Sequence, residues 1–160
     1  MQVLVVYDSK FGNTERIART IANVLAERAS VRLISAGEGP LDVEGIDVMV
    51  VGGPTHAHGI SAALRAALDA VPREALKGIN AAAFDTRFQL PRFLVGGAAI
   101  HVARRLRRRG AELVVSPQSF FVAKTEGPLL DGELERAAAW ATLLLDRAGA
   151  PGGVPMPVVG

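Results

Sequence analysis

The chain has 160 residues, 49% hydrophobic and 21% charged, with 18 basic against 16 acidic side chains and a formal net charge of +2. That length and balance suit one globular domain, and the absence of cysteine excludes disulfides, thiolate metal centres and cysteine nucleophiles. The start, MQVLVVYDS, lacks a basic leader region, and no apolar run approaches the ~18 residues of a membrane span, so a cytoplasmic location away from membranes is expected.

In chain order, QVLVVY at 2–7 reads as a strand apolar on both faces, as in a buried parallel sheet. Residues 14–29 predict a helix with Ile17, Ile21, Val24 and Leu25 on one stripe. VRLIS at 31–35 and DVMVVG at 47–52 are the second and third strands, parted by the glycine- and proline-punctuated AGEGPLDVEG. Ser61 has the chemistry of an N-cap for a helix running to Val71, and Pro72 ends it. NAAAFD at 80–85 is a fourth strand, weak by propensity because alanine is a poor strand former. Residues 97–109 predict a helix, and ELVVS at 112–116 a fifth strand with SFFVA after Pro117 as its continuation. The last helix spans 132–148, with Asp131 as its cap, Leu134, Ala138, Ala141 and Leu145 on one face, and Gly149 at the C-cap. One domain over 1–148 and a flexible tail over 149–160 are expected.

Strands alternating with helices predict a three-layer α/β fold: a doubly wound, five-stranded parallel sheet of order 2-1-3-4-5 with right-handed crossovers. Ligands of such sheets sit beyond the carboxyl ends of the strands, at the switch point between strands 1 and 3. Three loops are therefore read together. After strand 1, Ser9-Lys10-Phe11-Gly12-Asn13-Thr14 sets two hydroxyls, an amide and a glycine at a helix N-terminus, whose unpaired N–H groups attract anions. It matches neither a Walker A loop nor G-x-G-x-x-G. After strand 3, Gly52, Gly53 and Pro54 make a tight exit and leave Thr55, His56 and His58 at the crevice. Two histidines two apart, with no third ligand near in sequence, argue against a metal site. After strand 4, FDTRFQLPRF at 84–93 brings Thr86, Arg87 and Phe88 to the same edge. A capped turn accounts for the first loop alone; three such loops at one sheet edge describe a cofactor pocket.

YDSKFGNTE after the first strand and GGPTHAHG after the third, in this order and spacing, resemble the flavodoxin-like FMN-binding family over roughly residues 1–148. The resemblance implies an FMN-dependent electron-transfer protein. In it Ser9, Lys10, Phe11, Gly12, Asn13 and Thr14 would wrap the phosphate. Thr55, His56, Ala57, His58 and Gly59, led in by Pro54, would lie along one side of the isoalloxazine, and Asp85, Thr86, Arg87 and Phe88 along the other. Phe11 stands where flavodoxins usually carry a third hydroxyl, a feature closer to flavodoxin-like quinone reductases. The single tryptophan is Trp140 and the single tyrosine Tyr7, which leaves His56, His58 or Phe88 to stack on the ring. Two readings stand beside the carrier: an FMN-dependent quinone or porphyrinogen oxidoreductase on the same fold, and a binding module that has lost FMN. No residue is assigned a catalytic role.

Other classes fit less well. A receiver domain would need an aspartate where Gly52 stands, and a hydrolase drawn from Ser9, His58 and Asp85 lacks the G-x-S-x-G elbow. ARRLRRRG at 103–110 places five arginines in six positions. Without interleaved aromatics it offers no stacking platform for nucleic acid. Arg104–Arg109 is read as a docking surface for an acidic redox partner, or as solvated charge complementing a helix dipole.

Overall fold

The computed structural model describes residues 1–56, 59–89 and 97–149. In chain order the elements are β1 (Gln2–Tyr7), α1 (Asn13–Leu25), β2 (Ser30–Ser35), β3 (Val48–Pro54), α2 (Ala62–Asp69), β4 (Asn80–Phe88), α3 (Ala98–Arg108), β5 (Glu112–Leu113), β6 (Gln118–Val122) and α4 (Glu133–Ala148), with a short 3-10 turn at Ala36–Glu38. All strand pairs are parallel, in the order β2-β1-β3-β4-β5, and β6 also pairs with β4. The expected 2-1-3-4-5 order is therefore present, with its fifth position filled by one strand in two pieces. From Ala81 to Phe84 β4 advances three residues, while its partner advances five, from Leu113 to Gln118. The extra length loops out at Pro117, which has no N–H to give to a ladder.

Alternation along the strands builds two cores. Val3, Val5, Tyr7, Val50, Ala82 and Phe84 face α1 and α4, and Leu4, Val6, Met49, Val51, Ala81 and Ala83 face α2 and α3. The alanines of β4 are a strand because both faces are covered: Ala98, Ala99 and Ala103 bring α3 in close, small side chain on small. Burial outweighs propensity here. On the other face Phe84, Phe120 and Trp140 meet edge to face, with centroids 6.1–6.2 Å apart. A Cβ on Gly52 would fall inside the Phe84 ring. Gly52 and Gly53 thus belong to β3, not to a turn after it, and Gly52 makes room for that ring.

Several boundaries depart from expectation; α2, for one, ends at Asp69 and not at Val71. The N-cap of α4 is Gly132 at φ 84, not Asp131. Glu133, 5% exposed, accepts from the Phe121 amide at 2.7 Å and from Arg136 Nη1 at 2.6 Å. That anchor to the edge of β6 turns Ala137 and Trp140 inward, leaving Leu134 and Ala138 half-buried. α1 ends at Leu25, short of the expected 29. Ser61 caps α2 as expected, its Oγ accepting from the Leu64 amide at 3.3 Å. Of the tail expected at 149–160, residues 150–160 lie outside the described residues. Among the described residues, no helix is long and apolar enough to cross a membrane.

Candidate functional site

Tyr7 pairs with Gly52 and Gly52 with Phe84, so β1, β3 and β4 deliver their following segments to one edge. At the first, Gly12 is the N-cap of α1 at φ 88, a left-handed conformation that favours glycine. Ser9 Oγ accepts from the Gly12 and Glu15 amides at 3.1 and 3.3 Å, and the Arg16 amide donates to the Gly12 carbonyl at 3.1 Å. The Asn13 and Thr14 amides have no acceptor among the described residues. Together with the helix dipole they make an anion site. Asn13 Nδ2 donates to the Glu126 carbonyl at 3.3 Å, which lays the segment after β6 beside this loop. Phe11, Asn13, Glu15, Arg16, Arg19, Glu126 and Pro128 line a cavity of about 590 Å³ there. Sequence reasoning missed Arg16 and Arg19, although their spacing from Asn13 puts all three on one face of α1. Phe11 is 44% exposed, with Lys10 Nζ 5.3 Å from its ring centroid.

Thr14, the second hydroxyl of the loop, is 2% exposed and its Oγ1 lies 2.7 Å from Thr86 Oγ1. That contact exists because β4 continues to Phe88: residues 86–88 are strand, held by β6, where a loop was expected. Successive side chains then point to opposite faces. Thr86 meets α1, and Asp85 meets α3, so these neighbours do not share one surface. Asp85 is fully buried. Its Oδ2 accepts from the Ala99 amide at 2.9 Å, and its Oδ1 makes no hydrogen bond. Burial pushes its carboxyl above the usual range; the Ala99 amide, the Ser119 hydroxyl, the Arg87 charge and the Thr55 hydroxyl oppose that in decreasing order. Phe88, in contrast, is 40% exposed.

The segment after β3 hangs on the same strand. Thr55 donates its amide to the Thr86 carbonyl at 2.9 Å, and Thr55 Oγ1 accepts from the Ala98 amide at 3.1 Å. His56 and Gly59 exchange amide–carbonyl bonds at 2.9 Å each, and Gly59 takes φ 95. His101 of α3 packs on Gly59, where an added Cβ would come within 3.0 Å of the imidazole Cδ2. Ala57 and His58 lie outside the described residues. Thr14, Thr86, Thr55 and Ala98 thus tie all three predicted segments together. What this edge can hold is a phosphate-sized anion on α1, with the exposed His56 and Phe88 offering flat faces nearby. Among the described residues, no three-residue group of His, Cys, Asp or Glu could hold a metal.

The arginine run sits elsewhere. Arg105 Nε and Arg109 Nη2 each lie 3.4 Å from Asp69 Oδ1, and Arg109 also donates to the Val71 and Arg105 carbonyls. These two bind α3 to the end of α2. Only Arg104, Arg107 and Arg108 are exposed. α3 starts at the site edge, so Arg104 lies roughly 9 Å along it and Arg108 roughly 15 Å.

A family model described as Flavodoxin domain matches residues 4–87, just over half of the chain. No curated protein matches. Among solved structures, oxidised flavodoxin 1 of Bacillus cereus is 22% identical with a TM-score of 0.78, covering 91% of this chain and 98% of that one. A WrbA-like flavodoxin of Agrobacterium tumefaciens is 21% identical at a TM-score of 0.71, covering 92% and 97%. Rubredoxin oxygen:oxidoreductase of Desulfovibrio gigas is 19% identical at 0.72, covering 92% of this chain but 36% of that one. At these identities the structural likeness speaks for the fold.

Proposed function

This chain belongs to the flavodoxin domain family and is an FMN-binding, flavodoxin-like electron-transfer protein; from that premise we propose which residues hold the flavin, and that the protein works as a carrier between redox partners. The observation that carries the site is the pair of unpaired amides, Asn13 and Thr14, beside the Ser9 hydroxyl at the positive end of α1. They receive the phosphate, and Gly12 lets the backbone approach it. The exposed Arg16 adds long-range charge from the next turn of α1. His56 and Phe88 present the flat faces that receive the isoalloxazine, with Ala57 and His58 contributed by the same segment as His56. FMN, when bound, supplies the redox chemistry; the chain's residues bind it, orient it and set its surroundings.

The carrier reading is supported by economy of structure. The sheet and its helices account for most described residues, and among these no inserted unit stands over the edge to close a second substrate against the ring. The redox partner meets the exposed edge of the loops after β1, β3 and β4. Arg104, Arg107 and Arg108 sit in the second half of α3, back from that contact. They act on an acidic partner from a distance, by steering, in a cytoplasmic setting.

The test is the visible absorption spectrum of freshly purified protein, followed by NAD(P)H oxidation with and without a simple quinone. Flavin bands with stoichiometric FMN, and slow turnover until a reductase is added, are expected. A colourless protein that takes up no FMN would mean a module that has lost the cofactor. Quinone-dependent turnover on the order of tens per second without a reductase belongs to the usual enzyme range and would favour the oxidoreductase reading.

A further inference from the structure

Asp85 is wholly buried and half satisfied, with Oδ2 on the Ala99 amide and Oδ1 without a hydrogen bond. A carboxyl so placed destabilises the fold, and an asparagine could accept the same amide without the charge. What the carboxylate holds is the start of α3. The N-cap residue is Gly97, which has no side chain to accept from the first turn. Asp85 accepts in its stead, with a charge-assisted bond at the positive end of the helix. Gly97 is also the residue that fits: a Cβ there would press on Asp85 Oδ2.

The first turn of α3 carries the segment after β3. Ala98 donates to Thr55 Oγ1 at 3.1 Å, and His101 packs on Gly59. We propose that Asp85 is a positioning residue of the flavin site: its carboxylate fixes the first turn of α3, and through Thr55 and Gly59 the segment after β3, in the arrangement that receives the isoalloxazine ring. The proposal rests on the FMN reading above. It also divides the site in two. The phosphate loop is tied to β4 on the opposite face, by Thr14 and Thr86, so Asp85 acts on the ring and not on the phosphate.

Protonation weakens the bond to the Ala99 amide, because a neutral carboxyl is the poorer acceptor. Burial raises the pH at which this happens, against the pull of the Ala99 amide, the Ser119 hydroxyl, the Arg87 charge and the Thr55 hydroxyl. Arg87 from β4 and Arg136 from α4 line the cavity of about 610 Å³ into which Asp85 faces. The titratable groups nearby on α3 and the segment after β3 are His101 and His56. Ring affinity therefore falls as pH drops through the raised Asp85 value.

Riboflavin isolates the ring, since it lacks the phosphate whose second ionisation falls at about pH 6. The full-length apo-protein is titrated with riboflavin and with FMN from mildly acidic to mildly alkaline pH, and inorganic phosphate is used to compete against FMN. The wild type is expected to bind riboflavin on the order of tenfold more weakly at the acidic end, the scale of one weakened charge-assisted bond. Asp85→Asn should lose that component, and inorganic phosphate should compete as well as in the wild type. Asp85→Ala, which removes the acceptor, should bind riboflavin weakly at every pH. A wild-type pH profile in Asp85→Asn overturns the proposal, as does an equal loss of phosphate competition in both variants. A wild type that binds neither flavin overturns the FMN reading itself.

Discussion

Ser9 and Asp85 are both acceptors for the first turn of a helix, but they differ in how they are reached. Ser9 caps from three residues before Gly12, and such a short-range pattern shows in the sequence. Asp85 accepts from Ala99, fourteen residues on, and no local pattern announces it. The resemblance sets Asp85 to Phe88 together along the flavin; β4 continues to Phe88, so Asp85 and Thr86 face opposite sides of the sheet. The buried carboxyl has a consequence for stability. Its folded-state pKa is raised, so as pH climbs above the ordinary carboxylate range the unfolded chain gives up the proton first. Stability falls through the interval up to the raised value and is then level. Urea unfolding of the flavin-free protein across this interval should show that decline in the wild type and its absence in Asp85→Asn, with the variant the more stable at neutral pH. The opposite slope would mean that the native environment favours the carboxylate.

Among the elements, the strands and helices and their order were legible, because buried runs of Val, Leu and Ile separated by helical stripes admit few other architectures. Their faces and ends were less so. Glu133 turns α4 through a bond to the edge of β6, and the Phe84 ring reserves the space at Gly52; both are tertiary facts. Gly52→Ala should push a methyl group into the Phe84–Phe120–Trp140 cluster and cost about 1–3 kcal/mol, as overpacking does. A lowered denaturant midpoint with altered tryptophan fluorescence is the expected reading, and an unchanged midpoint would contradict the packing described. The arginine run divides in the same way. Replacing Arg105 and Arg109 with alanine should lower stability by about 0.5–1 kcal/mol, since Asp69 is half exposed and the pairs are partly screened. Replacing Arg104, Arg107 and Arg108 with glutamate should leave the melting temperature alone and slow association with an acidic partner at low salt. Equal effects of both sets on stability would remove the distinction.

Across the whole molecule, one sheet edge gathers the anion site of α1, the segment after β3 and the end of β4, while the exposed arginines lie in the second half of α3. Convergence of the three loops was readable from topology alone, because parallel strands of order 2-1-3-4-5 leave their carboxyl ends together. The threonine contacts that join them were not, since Thr14 and Thr86 lie 72 residues apart. In the proposed site the N-terminus of α1 reads the phosphate of FMN. Titrating the flavin-free protein with FMN and with riboflavin tests it most directly. Two backbone amides and a helix dipole on a dianion predict FMN binding tighter by on the order of a hundredfold or more, weakened when inorganic phosphate is added. Equal affinity for the two flavins, unmoved by phosphate, would contradict it.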